Sequence, residues 1–145
     1  MDFFSSMRVS ATGLDAQTTR MNTISSNIAN SETTRTEEGG PYRRKDPLLA
    51  AETDRESFGE ILQNELDENV QGVRVQEIVQ DQRAPRMVYN PSHPDANEEG
   101  YVAMPNVNTV EEMANMISAQ RSYEANITAL NAAKAMAQKA LEIGR

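Results

Sequence analysis

Hydrophobic residues at the two ends of the chain recur at the spacing of long amphipathic helices. In the C-terminal stretch, residues 106–144, they fall at heptad positions in two neighbouring rows, the first interrupted by Gln120 and Lys134, and heptads sustained over this length indicate a coiled coil rather than an isolated helix. At about 1.5 Å per residue this helix is roughly 50 Å long, so we expect it to need a partner along its length. The rows, with the residues that widen them, are Met113, Ile127 and Leu141; Met116, Tyr123, Leu130 and Ala137; and Val110 and Ile117.

The N-terminal stretch, residues 3–30, predicts a second helix with a narrower apolar stripe. Gly13 costs about 1 kcal/mol within a helix, but it also lets another backbone approach closely. The stripe is rich in serine and threonine, so this helix is marginal alone. We therefore predict that the two terminal helices pack as an antiparallel coiled-coil hairpin. The heptad row of the N-terminal helix consists of Met7, Leu14, Met21 and Ile28.

The middle of the chain, residues 31–105, contains only short segments with regular spacing. Residues 55–70 have weak helical spacing, whereas residues 73–79 alternate between apolar and polar and predict a half-buried strand. Residues 87–89 are expected to return as the second strand of a hairpin, and residues 47–50 form a short extended piece. The fold class is thus mainly α, with a small β-containing middle segment.

The loop at residues 90–100 has the composition of an ordered loop rather than a flexible linker. Pro91 and Pro94 fix two backbone φ angles, and its Asn and Asp side chains favour local turns. The chain then runs extended towards the C-terminal helix. These patterns predict three parts, namely an N-terminal helix (1–30), an outer segment (31–105) and a C-terminal helix (106–145).

The charge of the chain is concentrated in its middle. The formal net charge is −8 and only 5% of the residues are aromatic, so few large side chains are available to fill a core. Acidic and basic residues balance in residues 1–30 and in residues 109–145, which leaves the whole negative charge in residues 31–108. Neutral ends suit dense packing and an acidic middle suits contact with solvent. The negative charge argues against a nucleic-acid partner.

Composition also limits the compartment and the chemistry of the chain. There are no cysteines, which excludes a disulfide framework and a thiolate metal site. The apolar runs are too short to span a bilayer. The first residues lack the basic and apolar regions of a cleavable secretory signal. Two alternatives follow, a cytoplasmic protein or one exported by a route that uses no such signal.

No segment has the residues of a catalytic or ligand-binding site. His93 is the only histidine, and its neighbours Ser92 and Asp95 in a proline-rich loop do not make a converging triad. Zinc needs about four ligands, and the acidic residues near Glu98 and Glu99 lack the spacing of a calcium loop. We therefore expect a protein that is not an enzyme, with no catalytic, metal-binding or cofactor-binding residues.

Small residues surround the C-terminal helix on several faces, which permits close approach by several neighbours. We expect this helix to pack among helices of other copies, and a head-to-tail contact of that kind makes an open helical assembly unless its rotation closes. The basic cluster at residues 42–45 is either a solvated surface or a contact with an acidic partner. The alanines concerned are Ala114, Ala119, Ala125, Ala129, Ala132, Ala133, Ala135, Ala137 and Ala140.

Motifs at both ends resemble those of bacterial flagellar rod and hook proteins. Residues 10–17, 20–22 and 26–30 resemble the N-terminal motif of that family, and residues 106–108, 112–113, 115–117 and 119–126 resemble its C-terminal motif. The short middle segment, with Tyr89-Asn90-Pro91, is similar to that of proximal rod proteins. The motif residues that the resemblance singles out are Asn27, Asn30, Pro105, Asn106, Asn108, Glu124 and Asn126.

The resemblance implies a structural subunit of the proximal rod, exported through the flagellar type III apparatus without a cleaved signal and assembled in the periplasm. Its terminal helices would form the coiled-coil wall of a hollow tube that transmits torque and passes exported subunits. Expected partners are other copies, other rod proteins, the export apparatus and basal-body ring proteins. A soluble helical-hairpin adaptor or export chaperone is the alternative. The residues predicted to pack subunits together are Met7, Leu14, Met21, Ile28, Met113, Met116, Ile117, Tyr123, Ile127, Leu130 and Leu141.

Overall fold

The computed structural model describes residues 3–52 and 71–143, and two long helices dominate them. Helix α1 has 27 residues and helix α2 has 35, which confirms the mainly α class with a small β-containing middle. The predicted weak helix at residues 55–70 lies outside the described residues. The elements in chain order are α1 (Phe3–Ala29), β1 (Lys45–Ala51), β2 (Val73–Gln80), β3 (Arg86–Tyr89), β4 (Tyr101–Met104) and α2 (Thr109–Ile143).

Polar side chains cap the C-terminal end of α1 and the N-terminal end of α2. After α1, the side-chain amide of Asn30 donates to the carbonyl of Ser26 at 2.9 Å, so a side chain competes for a helical acceptor. The second helix starts at Thr109 and not at residue 106, because Asn108 is its N-cap. The Oδ1 atom of Asn108 accepts the backbone N–H of Val110 at 3.1 Å, which satisfies a donor that the helix leaves free.

The strands pair differently from the predicted hairpin. Strand β2 pairs with β1 and strand β3 pairs with β4, in two separate two-stranded sheets, so the predicted pairing of residues 73–79 with residues 87–89 is wrong. The β3–β4 pair is antiparallel, with Tyr89 opposite Tyr101. Its connecting loop is closed by the side chain of Asn97, whose Oδ1 accepts the backbone N–H of Tyr101 at 2.8 Å.

Strands β1 and β2 run in opposite directions. At one end of the pair, the backbone N–H of Asp81, after β2, donates to the carbonyl of Arg44, before β1, at 2.8 Å. At the other end, the backbone N–H of Glu52, after β1, donates to the carbonyl of Gly72, before β2, at 2.8 Å. These two bonds bracket the pair at its ends. The piece expected to be extended at residues 47–50 thus lies within a paired strand.

The chain forms two compact units, and both helices contribute to each. One unit consists of the described residues of Met1–Thr19, Leu49–Gln76 and Ala119–Arg145. Its interior contains small side chains, with Ala16, Ala119 and Ala133 buried. The hydroxyl of Thr12 accepts the backbone N–H of Val73 at 3.2 Å there, so a polar side chain of α1 fixes the start of β2.

The other unit consists of Arg20–Leu48 and Glu77–Ser118. Its buried apolar residues come from α1, from the segment before β1, from the β3–β4 pair and from the approach to α2, and a group of buried polar side chains lies among them. The apolar members are Ile24, Tyr42, Val102, Pro105 and Val107, and the polar members are Thr23, Asn27 and Glu112.

Candidate functional site

A buried polar cluster forms where the end of α1, the start of β1 and the first turn of α2 meet. At its centre, the Asn27 side chain is 0% exposed. Its Nδ2 atom donates to the Lys45 carbonyl at 2.8 Å and to Glu112 Oε2 at 2.9 Å. Its Oδ1 atom accepts the Tyr42 hydroxyl at 3.0 Å and the Lys45 backbone N–H at 2.9 Å. Both donors and both lone pairs of the amide are thus satisfied.

The carboxylate of Glu112 is held by an arginine as well as by the amide of Asn27. Its side chain is 1% exposed, and Oε1 lies 2.9 Å from Arg44 Nε. The same guanidinium reaches Asp46 Oδ2 at 3.0 Å. Burial by itself lowers the pKa of Arg44, but hydrogen bonds and charges from Glu112 and Asp46 outweigh it and raise that pKa above its ordinary value. A buried carboxylate is tolerated here because it is paired and hydrogen-bonded.

The basic segment at residues 42–45 supplies this cluster from within the chain, which neither sequence-based alternative anticipated. Tyr42 is buried, and its hydroxyl lies 3.3 Å from Ser26 Oγ as well as bonding to Asn27. The ammonium group of Lys45 lies 5.8 Å from the Tyr42 ring centroid, within reach of a cation–π contact. Arg43 alone of the four is exposed, so it remains the candidate for an external contact.

A cavity of about 120 Å³ opens beside this cluster. Arg43 and Arg83 are among its lining residues. Arg83 donates through Nε to Asp81 Oδ2 at 2.7 Å. That hydrogen bond, followed by one from the backbone N–H of Arg83, lowers the pKa of Asp81 below its ordinary value. The remaining lining residues are Gly39, Gly40, Pro41, Tyr42, Arg44, Asp81, Pro85 and Asn106.

The family-motif residues take structural roles in this geometry. Asn27 centres the polar cluster, Asn30 bonds at the end of α1 and Asn108 caps α2. Asn126 packs against Gly13, where an added Cβ would lie 2.9 Å from its Nδ2 atom. Of the others, Pro105 is buried, Asn106 is half-buried, and the exposed Glu124 accepts a hydrogen bond from Gln120 at 3.3 Å.

The predicted subunit-packing residues divide into two groups on α2. Met116, Tyr123 and Leu130 are half-buried, as are all four residues of the α1 row, Met7, Leu14, Met21 and Ile28. The other row points to solvent, with Met113 52%, Ile117 54% and Leu141 76% exposed, and Ile127 and Val110 exposed as well. One predicted row is thus half-buried within its own chain, and the other is left exposed by the residues that the structure describes.

A row of small and polar residues packs inward on α2, and sequence reasoning missed it. Glu112, Ala119, Asn126 and Ala133 lie seven positions apart and are buried or half-buried. The period of seven was visible in the sequence, but alanine, asparagine and glutamate were not weighed as interior residues. Of the other alanines expected to face neighbours, Ala137 is half-buried and the rest are exposed.

The loop around His93 is held by its own polar groups. The Nδ1 atom of His93 accepts the backbone N–H of Asp95 at 3.1 Å, and Asp95 Oδ2 accepts the Thr34 hydroxyl at 2.8 Å. These contacts order the loop and explain its unusual composition. Within residues 3–52 and 71–143, no group of three or more histidine, cysteine, aspartate or glutamate side chains is arranged to hold a metal ion.

Comparison with known proteins gives the family of the chain. Residues 7–35 match the family model described as "Flagella basal body rod protein", and residues 98–143 match "Flagellar basal body rod FlgEFG protein C-terminal". The chain is 46% identical to the flagellar basal-body rod protein FlgC of Bacillus subtilis over the full length of both. The chain belongs to the FlgC family of flagellar basal-body rod proteins.

Other FlgC proteins match over almost their whole length too. That of Borreliella burgdorferi is 46% identical, with 99% of this chain and 98% of the relative covered. That of Salmonella typhimurium is 36% identical, with 94% of each chain covered. The sequence-based resemblance to the flagellar rod family is therefore confirmed. These FlgC relatives are rod proteins and not enzymes, and neither helix within the described residues is long and apolar enough to cross a membrane.

Proposed function

We propose that this chain is a structural subunit of the proximal rod of the bacterial flagellar basal body. It assembles with other copies and with other rod proteins into a hollow tube that transmits torque and passes exported subunits. The observation that carries the proposal is the set of large apolar residues on α2 that remain exposed among the described residues of the chain. Met113 and Ile117, one helical turn apart, are each more than half exposed, and exposed apolar residues that lie together indicate an interaction surface.

Within one subunit, α1 and α2 pack as an antiparallel coiled coil. Two contacts support this arrangement, that of Asn27 with Glu112 and that of Gly13 with Asn126. Gly13 lies fourteen residues before Asn27 in α1, and its partner Asn126 lies fourteen residues after Glu112 in α2. This shift is two heptads in each helix, as expected of antiparallel helices that keep one seam.

The exposed row adds a second seam beside the first on α2. Met113, Ile127 and Leu141 lie about 100° around the helix from the row that packs inward, and Val110 and Ile117 lie about 160° from it, since each residue advances a helix by about 100°. A helix with two adjacent seams can contact its own α1 on one side and a neighbouring subunit on the other. This arrangement makes α2 an element of a wall and not merely half of a hairpin.

The outer segment, residues 31–105, lies outside that wall and carries the negative charge of the chain. The subunit reaches the periplasm through the flagellar type III export apparatus without a cleaved signal, and basal-body ring proteins are further neighbours. The neutral ends, the absence of cysteine and the marginal N-terminal helix support this assignment. Such a chain can be exported without breaking disulfides, and its helices are stabilised on assembly.

A single substitution on the exposed row tests the proposal. In a strain that lacks the native gene, Ile117→Asp should abolish rods and motility, because a carboxylate would be buried between subunits. The purified full-length variant should retain the helix content of the parent chain by circular dichroism, since Ile117 is 54% exposed. Ile78→Asp, the same change at a residue of β2, outside α2, that is 47% exposed, is the control and should leave rods intact.

Ile127 and Leu130 separate contacts between subunits from contacts within one. Ile127→Asp should behave like Ile117→Asp, whereas Leu130→Asp should also lower helix content because Leu130 is half-buried. Normal motility and normal basal bodies in cells carrying Ile117→Asp or Ile127→Asp would refute the proposed role of the exposed row. A stable folded adaptor that never enters basal bodies is the alternative outcome, and basal-body density that places this chain distinguishes the two.

A further inference from the structure

The β3–β4 pair has ends of opposite charge. We propose that these ends join successive copies of this chain head to tail, with the acidic loop of one copy seated against the arginine-lined cavity of the next. The inference rests on the proposed function, since it names one contact surface of the assembled subunit. It uses residues of a single compact unit, Arg20–Leu48 with Glu77–Ser118, and none of the exposed row on α2.

The acidic end is the loop at residues 90–100, which joins the end of β3 to the start of β4. Glu98 and Glu99 are exposed, and no ion pair involves either of them within the part of the chain that the structure describes. Asp95 is held by Thr34, and Asn97 holds the backbone at Glu99 and Tyr101. The loop therefore presents two exposed carboxylates on an ordered backbone.

The basic end is the cavity of about 120 Å³ at the other end of the same strands. Its lining includes Pro85, which precedes β3, and Asn106, which follows β4 shortly. Arg43 bonds there only to a neutral partner, Gln82 Oε1 at 3.2 Å, among the described residues. Arg83 is 67% exposed although it pairs with Asp81. Two guanidinium groups are therefore accessible at this end, and arginine suits carboxylate recognition.

One face of the β3–β4 pair, next to the acidic loop, is an exposed apolar surface. Residues directly opposite each other in an antiparallel pair share a face, so Met87, Tyr89, Tyr101 and Ala103 lie together. Tyr89 is 65% exposed and its ring meets that of Tyr101 edge-on, with centroids 5.3 Å apart. Val102, on the opposite face, is buried. Exposed tyrosines next to carboxylates suit an arginine partner, because guanidinium groups stack on aromatic rings.

A second copy of the chain fits both surfaces at once. The acidic end and the basic end lie at opposite ends of two strands of four residues each, which separates them by more than about 10 Å. The two ends of one copy therefore cannot contact each other while the strands stay paired. Contact between unlike ends of successive copies is heterologous, and a heterologous contact propagates as a ring or a helical filament.

Charge reversal at both ends tests this contact in the purified full-length protein. Glu98→Arg and Arg43→Glu should each weaken self-association by about tenfold or more in sedimentation velocity, because like charges would face each other. Combining both reversals in one chain should restore association to within about threefold of the parent, since the charges are again opposite. Association of the parent should also weaken as salt is raised from about 50 mM to about 500 mM.

The control is Glu77→Arg, the same change of charge on an exposed residue of β2 that belongs to neither end, and it should leave association unchanged. Loss of association in the two single variants without recovery in the double variant would overturn the inference. So would equal effects of Glu77→Arg and Glu98→Arg, which would indicate a general effect of net charge, or association of Glu98→Arg as tight as that of the parent.

A second measurement locates the contact directly, since the chain has no cysteine. A mixture of Glu99→Cys and Arg83→Cys chains should give a dimer with a short bis-maleimide, whereas Glu77→Cys with Arg83→Cys should not. A cross-linked yield equal to that of the control pair would overturn the contact. Failure here, with rods still abolished by Ile117→Asp, would remove the inference and leave the proposed function standing.

Discussion

Asn27 in α1 and Glu112 in α2 are 85 positions apart in sequence, yet their side chains are joined by a hydrogen bond of 2.9 Å and both are buried. The bond fixes one position of α1 relative to one position of α2. Polar groups buried in a helix interface favour a single register, because any shift leaves them without partners. This pair therefore favours one register of α1 against α2.

Replacing Asn27 with alanine should lower the free energy of unfolding by about 2–4 kcal/mol. The substitution removes four hydrogen bonds and leaves Glu112 Oε2 and the Tyr42 hydroxyl short of partners inside the protein. Urea unfolding followed by far-ultraviolet circular dichroism measures the loss. Asn22→Ala on the same helix is the control, since Asn22 is exposed, and it should change the midpoint little. Equal losses in the two variants would show that the cluster contributes no more than helix propensity does.

Replacing Arg44 with methionine should cost about 3–5 kcal/mol, because it leaves the buried carboxylate of Glu112 without its cationic partner. Adding Glu112→Gln should recover part of that loss, since the interior then no longer contains an unpaired charge. Arg83→Met removes the exposed ion pair with Asp81 and should cost far less, because water screens an exposed pair. Arg44→Met as mild as Arg83→Met, in the same urea titration, would contradict the role assigned to Arg44.

The space between Gly13 and Asn126 should admit a methyl group but not a larger side chain. An added Cβ meets the Asn126 amide at 2.9 Å, and a flexible side-chain end can move aside. Gly13→Ala should therefore be nearly neutral, as the gain of about 1 kcal/mol in helix propensity offsets the crowding. Gly13→Leu should cost about 1–3 kcal/mol by overpacking, and Asn126→Ala should relieve part of it. Thermal unfolding of the four chains gives the comparison, and a stabilised Gly13→Leu would refute it.

Gly100 should tolerate alanine less well than Gly40 does, although both have a positive φ. Their φ angles are 82° and 80°, so the backbone strain of roughly 1 kcal/mol is common to both. Only at Gly100 would an added Cβ meet Tyr89, at 2.9 Å, and Pro91, at 3.2 Å, whereas nothing lies within 4 Å at Gly40. The loss of unfolding free energy in Gly100→Ala minus the loss in Gly40→Ala gives the steric cost at Gly100. A larger loss at Gly40 would show that the packing of Gly100 against Tyr89 is unimportant.

The ion pair of Asp81 with Arg83 should make the free energy of unfolding depend on pH in the acid range. Because Arg83 lowers the pKa of Asp81 in the native state, the native protein binds fewer protons than the unfolded chain. This contribution is fully present above the ordinary carboxyl pKa of 3.8 and is lost as the pH falls through the native pKa. Urea midpoints measured from about pH 5 down to about pH 2.5 should therefore fall less steeply in Asp81→Asn than in the parent. Parallel curves would contradict the predicted linkage.

The terminal helices were predictable because their signal is local and repeated. Period-seven rows over many turns outweigh individual propensities, and the Asn108 cap lies beside the first turn that it closes. The strand pairing was not predictable in the same way, since the choice between β1 and β3 as partner of β2 depends on which chain ends meet across long connections. A short connection between residues 80 and 86 suggested a hairpin that the longer-range pairing overrides.

In the cluster around Asn27, too, the sequence indicated some of the residues but not the contacts between them. The sequence marked Asn27 through a family motif and residues 42–45 through their charge, but nothing in it joined them to Glu112. Glu112 belonged to the C-terminal family motif, but nothing in the sequence indicated that its carboxylate is buried. Its burial became visible only when α1, β1 and α2 were brought together, since a carboxylate is interior only where a guanidinium and an amide converge on it.

The sequence alone determined two long helices, a short β-containing middle, a neutral pair of ends and membership of the flagellar rod family, because periodicity, charge and motifs can be read without knowing any partner. Tertiary structure decided which heptad row of α2 lies inward. Alanine, asparagine and one paired glutamate are interior where the helices pack closely, and the larger Met113, Ile117 and Leu141 are left outside. Hydrophobicity predicts that a stripe will be buried, but the distance between packed elements decides which side chains fit within the chain and which remain for a neighbour.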